Sequence, residues 1–475
     1  ALAVKSGEIV AGPYVRQACA RHIADLKSGK KRGLEFDAEK ARQAFAFFEN
    51  VLHLNGGEYE GDPFKLQPWQ AFIVGSLFGW VKKDGARRFQ TAYIEIGKGN
   101  GKSPIAAGIG LYGLIADQEP RAEIYAAATK KDQAQILFRD AVAMVDQSPL
   151  LANRLTKSGV QPVWQLTDIR SGSWFKPISA DDGQSGPRPH IALVDEVHEH
   201  KDANVINMLR AGFKGRRQPL MIEITNSGVD RTSICYQHHE YSLRVVSGQD
   251  GNDTWFAYVC ALDERDEPFT DPSCWPKANP NLGVSIKPAY LAGQIREATG
   301  MPAQASIVRR LNFCQWVDAI NPWISGEIWT AAEVPRETWS PPAGIEPVGA
   351  IDLGGTKDLT ALGLVWTPKA DGDPVFAKVE AWTPADTLHD RAKTDRVPYD
   401  VWVAAGHLVA TPGRAVDYRF VAVRLGEIQK ETGLKRVAFD AYKIKYLEAE
   451  LDDLGLECDL IPHGQGWQKS KESGL

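Results

Sequence analysis

Residues 94–103 read Ile-Glu-Ile-Gly-Lys-Gly-Asn-Gly-Lys-Ser, and residues 191–196 read Ile-Ala-Leu-Val-Asp-Glu. The first stretch is an apolar run that breaks into alternating glycines and closes on Lys-Ser. A strand that ends in a phosphate-cradling loop and then enters a helix has this composition. The second stretch is a short apolar strand whose last two residues are acids. An ATP-hydrolysing site needs both halves: a loop for the phosphates, and acids for the metal and the attacking water. They sit about 90 residues apart, a workable separation in an α/β nucleotide domain.

The loop departs from the full pattern G-x-x-x-x-G-K-[ST]. Gly101, Lys102 and Ser103 match, but Ile96 stands where the first glycine belongs and Gly97 comes one residue late. The chemistry tolerates this. Gly97, Gly99 and Gly101, with Lys98 and Asn100 between them, let backbone N–H groups turn inward on phosphates. Lys102 reaches the β and γ oxygens, Ser103 can ligate Mg2+, and the helix N-terminus adds its dipole. Asp195 would hold Mg2+ through its water, and Glu196 would orient and deprotonate the attacking water. His198 and His200 lack the i, i+4 spacing of a metal-binding helix and read as solvated side chains or neighbours of the acids, not zinc ligands. Thr225-Asn226-Ser227-Gly228 closes the next apolar strand, where polar groups can sense the γ-phosphate and relay hydrolysis.

Outward from these motifs the pattern alternates. Strands are expected at 90–96, 123–128, 191–195 and 220–225, and helices at 102–116 and 130–145. That order implies a mostly parallel sheet covered on both faces. Residues 10–54 read as helical, with Phe45, Phe48 and Leu52 on one face, and 68–81 as a second helix with Pro68 at its start. The expected organisation is a helical region over 1–60, an ATPase core over 61–230 and a lid or linker subdomain over 231–334. Pro335, Pro341, Pro342 and Pro347 then mark a boundary, and 345–475 forms a second α/β unit. In that unit 348–353 and 359–366 read as a hairpin, 416–430 and 442–454 as helices, and 435–440 and 456–461 as strands.

The 475 residues carry a net charge of −5, and 43% of them are hydrophobic. This is the profile of a soluble globular protein, and any nucleic-acid contact must come from local patches rather than a basic overall charge. The cluster Arg210-Ala-Gly-Phe-Lys214-Gly-Arg216-Arg217 is one such patch. No apolar run reaches the roughly 18 residues of a membrane span. The six cysteines include no Cys-x-x-Cys pair, which argues against a zinc ribbon or a disulfide scaffold.

In the second unit Ala350-Ile351-Asp352-Leu353-Gly354 puts an acid in an apolar strand, and Val437-Ala438-Phe439-Asp440 puts another at a later strand end. Acids on neighbouring strand ends can share divalent metals and cleave phosphodiesters. Asp352-Leu353-Gly354-Gly355-Thr356 also resembles the first phosphate motif of actin-like sugar kinases. That fold needs two related halves, and too little chain remains for both.

Taken together the chain resembles the large terminase subunits of tailed bacteriophages, the motors that package viral DNA. Leu66-Gln67-Pro68-Trp69-Gln70 is similar to that family's adenine-side motif, with Gln70 as the reader, and a deviant phosphate loop is expected there. The resemblance implies an N-terminal P-loop ATPase of the ASCE type and a C-terminal ribonuclease-H-like nuclease. Asp352 and Asp440 match the nuclease's first two metal-binding acids, and the third has no counterpart before Leu475. The implied cofactors are ATP and Mg2+, with Mn2+ as an alternative at the nuclease site. The implied partners are double-stranded DNA, the portal protein, the small terminase subunit and further copies of the chain in a ring, a pentamer in this family. The implied place is the host cytoplasm, docked on the prohead portal and absent from the virion. Arg188 is the first candidate for an arginine finger acting on a neighbouring subunit, and the cluster at 210–217 is the second. A helicase or repair translocase with an accessory nuclease is the alternative. It calls for strand-separation motifs and a second ATPase-like lobe, and neither is found.

Overall fold

Thr91-Ala-Tyr-Ile-Glu95 and Ile191-Ala-Leu-Val-Asp195 are buried along their whole length. Side chains alternate along a strand, so a strand buried on both sides feeds two cores. Ala92, Ile94, Leu193 and Ile222 join one hydrophobic cluster, while Tyr93, Ala192, Val194 and Met221 join another. The structure, a computed structural model, describes residues 1–179, 186–301, 304–317 and, with short interruptions, 339–464. The chain forms two units, Ala1–Trp329 and Thr330–Leu475.

The strands of the first unit are β1 (Leu34–Phe36), β2 (Trp80–Lys82), β3 (Thr91–Glu95), β4 (Glu123–Ala128), β5 (Leu155–Ser158), β6 (Gln165–Asp168), β7 (Ser173–Ser179), β8 (Ile191–Asp195), β9 (Leu220–Thr225) and β10 (Trp255–Val259). Among the described residues, β3 to β10 make one sheet in the order β10-β3-β9-β8-β4-β7-β6-β5. Neighbours from β10 to β7 are parallel, and β6 and β5 complete the edge antiparallel. β3, β9 and β8 lie side by side, so the phosphate loop, the polar motif at 225–228 and the acid pair all leave the same edge of the sheet. Helix Lys102–Ile115 packs over β4, β7, β8 and β9.

Three expectations are corrected here. The helical stretch over 10–54 is two helices, Pro13–Ser28 and Ala38–Val51, separated by a turn and β1. The helix from Pro68 stops at Gly79, because Trp80–Lys82 pairs with Leu34–Phe36. The segment assigned to a lid from residue 231 opens instead with helix Ile234–Ser247 and β10, which pairs with β3. Trp255-Phe-Ala-Tyr-Val259 is fully buried, and leaving it out of the sheet would expose one flank of the phosphate-loop strand.

The second unit holds β11 (Val348–Asp352), β12 (Thr360–Trp366), β13 (Phe376–Pro384), β14 (Val409–Thr411), β15 (Arg436–Phe439) and β16 (Asp459–Pro462). They run in the order β14-β13-β12-β11-β15-β16. β11, β12 and β13 are antiparallel, and β15 and β16 continue parallel to β11. The expected hairpin is β11–β12, and β13 and β14 extend the sheet beyond it. Helices Tyr418–Thr432 and Ile444–Asp453 cover a core of Ile351, Leu362, Trp382, Leu425 and Leu447. Among the described residues the second unit holds this one sheet, not the two related halves of a sugar-kinase fold. Pro335 and Pro342 of the expected boundary lie outside the described residues.

Candidate functional site

Ile96 is fully buried, and its N–H donates to the Thr225 carbonyl at 3.1 Å. The position where the first glycine is missing is thus an extension of the sheet, and the loop starts at Gly97. A Cβ on Gly97 would stand 2.8 Å from Asn279 Oδ1, so only glycine fits. Gly101, at φ 86, turns the chain into helix Lys102–Ile115. The Lys102 Nζ donates to the carbonyls of Ile96 (2.7 Å) and Gly97 (3.3 Å) and to Asn226 Oδ1 (3.1 Å). The ammonium is buried, and this desolvation holds its pKa below the usual lysine range against the pull of Glu196 and Asp195.

Asp195 and Glu196 close β8 beside this lysine. Burial, reinforced by the neighbouring Glu196, pushes the Asp195 carboxyl up to about 7. One Asp195 oxygen accepts the Glu196 N–H at 2.9 Å. Glu196 takes the left-handed backbone conformation, φ 47, and its Oε2 is buried with no hydrogen bond. His198 Nδ1 lies 3.3 Å from that oxygen, within ion-pair distance, and contacts Thr225 Oγ1 at 3.0 Å. His200 Nε2 contacts the Asp195 carbonyl at 3.3 Å. Both histidines therefore pack against the acid strand. The buried Asp195 and the half-buried Glu196, whose Oε2 accepts no hydrogen bond, form a donor set that a divalent cation would satisfy.

Gln70 stands beside the loop: its Nε2 is 3.8 Å from where a Cβ on Gly101 would be. Its Oε1 accepts the Gln67 N–H at 2.9 Å, fixing the start of helix Pro68–Gly79. Sequence reasoning missed the residues that lock the loop from the far side. Asn281 donates from its side chain to the Asn100 carbonyl (3.0 Å) and from its backbone to Asn100 Oδ1 (3.0 Å). Its Oδ1 accepts the Trp69 indole N–H at 2.7 Å. Asn279 accepts from the Asn100 amide at 2.9 Å, and Ser285 Oγ donates to the Gly99 carbonyl at 2.9 Å. Asn279, Asn281 and Asn100 are buried, so every lost partner is felt. The signal available was Asn279-Pro-Asn281, a polar pair that these bonds explain.

Asn281→Ala removes the partner of the Trp69 N–H and one partner of the Asn100 carbonyl. Leaving such groups unmatched costs about 1–3 kcal/mol each, so ATP affinity is expected to fall roughly ten- to a hundredfold. Titration with a fluorescent ATP analogue measures this, and parental affinity would show that the brace does not hold the loop.

The basic candidates lie elsewhere. Arg188 precedes β8 and so sits at the strand edge opposite Asp195, roughly 20 Å away along the strand direction. It cannot reach the phosphate loop of its own chain. Arg216 donates to the Arg188 carbonyl at 2.9 Å and pairs with Glu119 and Glu123. Arg210 pairs with Glu223 at 3.5 Å. Arg217 donates to the Asp84 carbonyl, and its side chain and that of Lys214 are exposed.

In the second unit β11 and β15 are parallel, with Ile351 opposite Phe439. Asp352 ends β11 and Asp440 directly follows β15, so continuing this register places them on neighbouring strand ends. The Lys443 Nζ comes to Gly355 next to them, 2.0 Å from where a Cβ would be. Among the described residues no cluster of three or more metal-ligating side chains exists, so the two acids stand without a third. The tail from 465 lies outside the described residues.

The family model for the ATPase domain of the terminase large subunit matches residues 68–244, and the model for its endonuclease domain matches 249–473. The terminase large subunit of Enterobacteria phage HK97 is 29% identical over 441 residues, spanning 90% of this chain and 82% of that protein. Protein YmfN of Escherichia coli (strain K12) is 29% identical over 296 residues, 61% of this chain and 64% of that protein. The crystal structure of the HK97 bacteriophage large terminase aligns with a TM-score of 0.51 at 27% identity, covering 90% of this chain and 86% of that one. Residues 249–317, inside the endonuclease match, belong to the first unit here and supply the brace on the phosphate loop. With an ATPase domain and an endonuclease domain in one polypeptide, the chain belongs to the terminase large subunit family.

Proposed function

We propose that this terminase drives double-stranded DNA into a prohead through the portal and cuts the concatemer between rounds. The observation that carries this is the shared sheet edge of the ATPase unit, where Lys102, Asp195, Glu196 and Asn226 converge. The N–H groups of Gly99 to Gly101 would cradle the phosphates, those of Gly97 and Lys98 being donated to the carbonyls of Ala278 (3.3 Å) and Leu311 (2.8 Å). Lys102 would contact the phosphates and Gln70 would face the adenine. Ser103 and Asp195 would hold Mg2+, which supplies charge neutralisation at the phosphates. Glu196 takes the proton of the attacking water, and Thr225, Asn226 and Ser227 pass the change on. Asp352 and Asp440 would hold Mg2+ or Mn2+ for phosphodiester cleavage.

Arg188, at the far strand edge, is suited only to the site of a neighbouring copy in a ring, for which five subunits are expected. Lys214 and Arg217 grip DNA phosphates, because Arg210 and Arg216 are engaged by acids. The portal protein and the small terminase subunit are the protein partners. The chain acts in the host cytoplasm on the prohead and leaves before the virion matures. No helix among the described residues is long and apolar enough to cross a membrane.

The test is ATP-dependent protection of linear DNA from nuclease by purified proheads. The parent is expected to protect DNA and Lys102→Ala to protect none. A parent that unwinds duplexes without filling proheads would favour the helicase.

A further inference from the structure

Glu95, the last residue of the phosphate-loop strand, is fully buried and collects three donors. They are the Tyr93 hydroxyl (2.8 Å), His239 Nδ1 (2.8 Å) and the indole N–H of Trp316 (3.1 Å). Trp316 lies just beyond helix Ala305–Phe313, on the stretch of chain that leads toward the second unit. Its ring packs on Tyr236, centroids 4.8 Å apart, and on His239 at 5.3 Å. It also lies against Gly228, where a Cβ would stand 2.9 Å from the ring.

The backbone on both sides of Trp316 is fastened to the same motif. Ser227 Oγ lies 3.0 Å from the carbonyls of both Arg310 and Gln315 and shares its proton between them. The Val317 N–H donates to the Gly228 carbonyl at 3.5 Å. One residue upstream, Asn226 Oδ1 holds the Lys102 ammonium. An ammonium drawn to phosphate oxygens cannot keep Asn226, Ile96 and Gly97 as partners as well. Lys102 turning to phosphate would have to release at least one of these partners, and Asn226, Ser227 and Gly228 lead from it to Trp316. Packed side chains and hydrogen bonds that run unbroken between two places are one physical route for coupling between them.

We propose that Trp316 is the positioning residue through which the state of the nucleotide site passes into the chain leading to the second unit. The proposal rests on the assignment of Lys102 and Asn226 to that site. The indole reads the loop strand through Glu95 and the polar motif through Gly228, so it registers a shift of one against the other.

Hydrogen–deuterium exchange of the full chain, with and without Mg2+ and ATPγS, tests this. In the parent, nucleotide is expected to change exchange in peptide 94–105 and in peptides from 306 onward by about fivefold or more, the usual scale of coupling. Trp316→Phe keeps a ring against Gly228 but loses the N–H, and Trp316→Leu loses both. Each is expected to keep the response of 94–105 and to lose most of the downstream response. DNA-stimulated ATP turnover should fall in both, while turnover without DNA stays near the parental rate. A downstream response in both variants equal to the parent's overturns the proposal. A parent whose 94–105 peptide ignores nucleotide overturns the site assignment itself, a different failure.

Discussion

Glu196→Gln is expected to lower ATP turnover roughly 10^3-fold, within the range that removal of a general base produces. ATP binding should stay within a few-fold of the parent. The amide matches the carboxylate in shape but cannot accept the proton of the attacking water. The geometry favours this role for Glu196 over its neighbour. Asp195 faces inward, takes the Glu196 N–H and is pushed toward neutrality by burial. Glu196 leaves the strand in a left-handed turn, with one oxygen free of hydrogen bonds. Lys102→Ala should behave differently and lose both binding and turnover, because the ammonium would contact the phosphates in the ground state and in the transition state. Phosphate release under saturating ATP, paired with nucleotide titration, separates the two patterns. If Glu196→Gln kept more than about a tenth of the parental rate, the base would have to be sought elsewhere.

Local chemistry explains why the ATP site was readable in the sequence. The strand, the glycines and Lys102 are contiguous, and strand polarity in a parallel sheet then brings Asp195 and Asn226 to the same edge. The brace was not readable, because Asn281 meets Asn100 from 181 positions away in a stretch with no periodicity. β10 was missed for a related reason. Five apolar residues do not distinguish a strand from a buried helix segment, and only its pairing with β3 decides. The basic cluster misled in part. Its charges are contiguous in sequence, but the acids that engage Arg210 and Arg216 come from β9, from β4 and from the turn before β4. Trp316 carried no signal beyond being one of 14 tryptophans.

Asp352→Asn is expected to reduce plasmid cleavage at least about a hundredfold, with Asp440→Asn equally damaging and the double variant no worse than either. The argument is one of strand register. Parallel pairing of Ile351 with Phe439 puts the two acids side by side, with backbones about 4.8 Å apart. Two carboxylates that close repel when bare, and a divalent cation between them turns the repulsion into attraction on both sides. Replacing one acid therefore removes half the ligands and most of the reason for the ion to stay, so the effects do not add. Asp352 is exposed at the strand end, open to a phosphodiester as bulky as duplex DNA. Lys443, over Gly355, places a positive charge on the same side. ATP turnover should be unaffected, since Lys102 and Glu196 belong to the other unit. Cleavage by Asp352→Asn at the parental rate would mean that these strand ends do not hold the metal, and the search would turn to acids outside this pair.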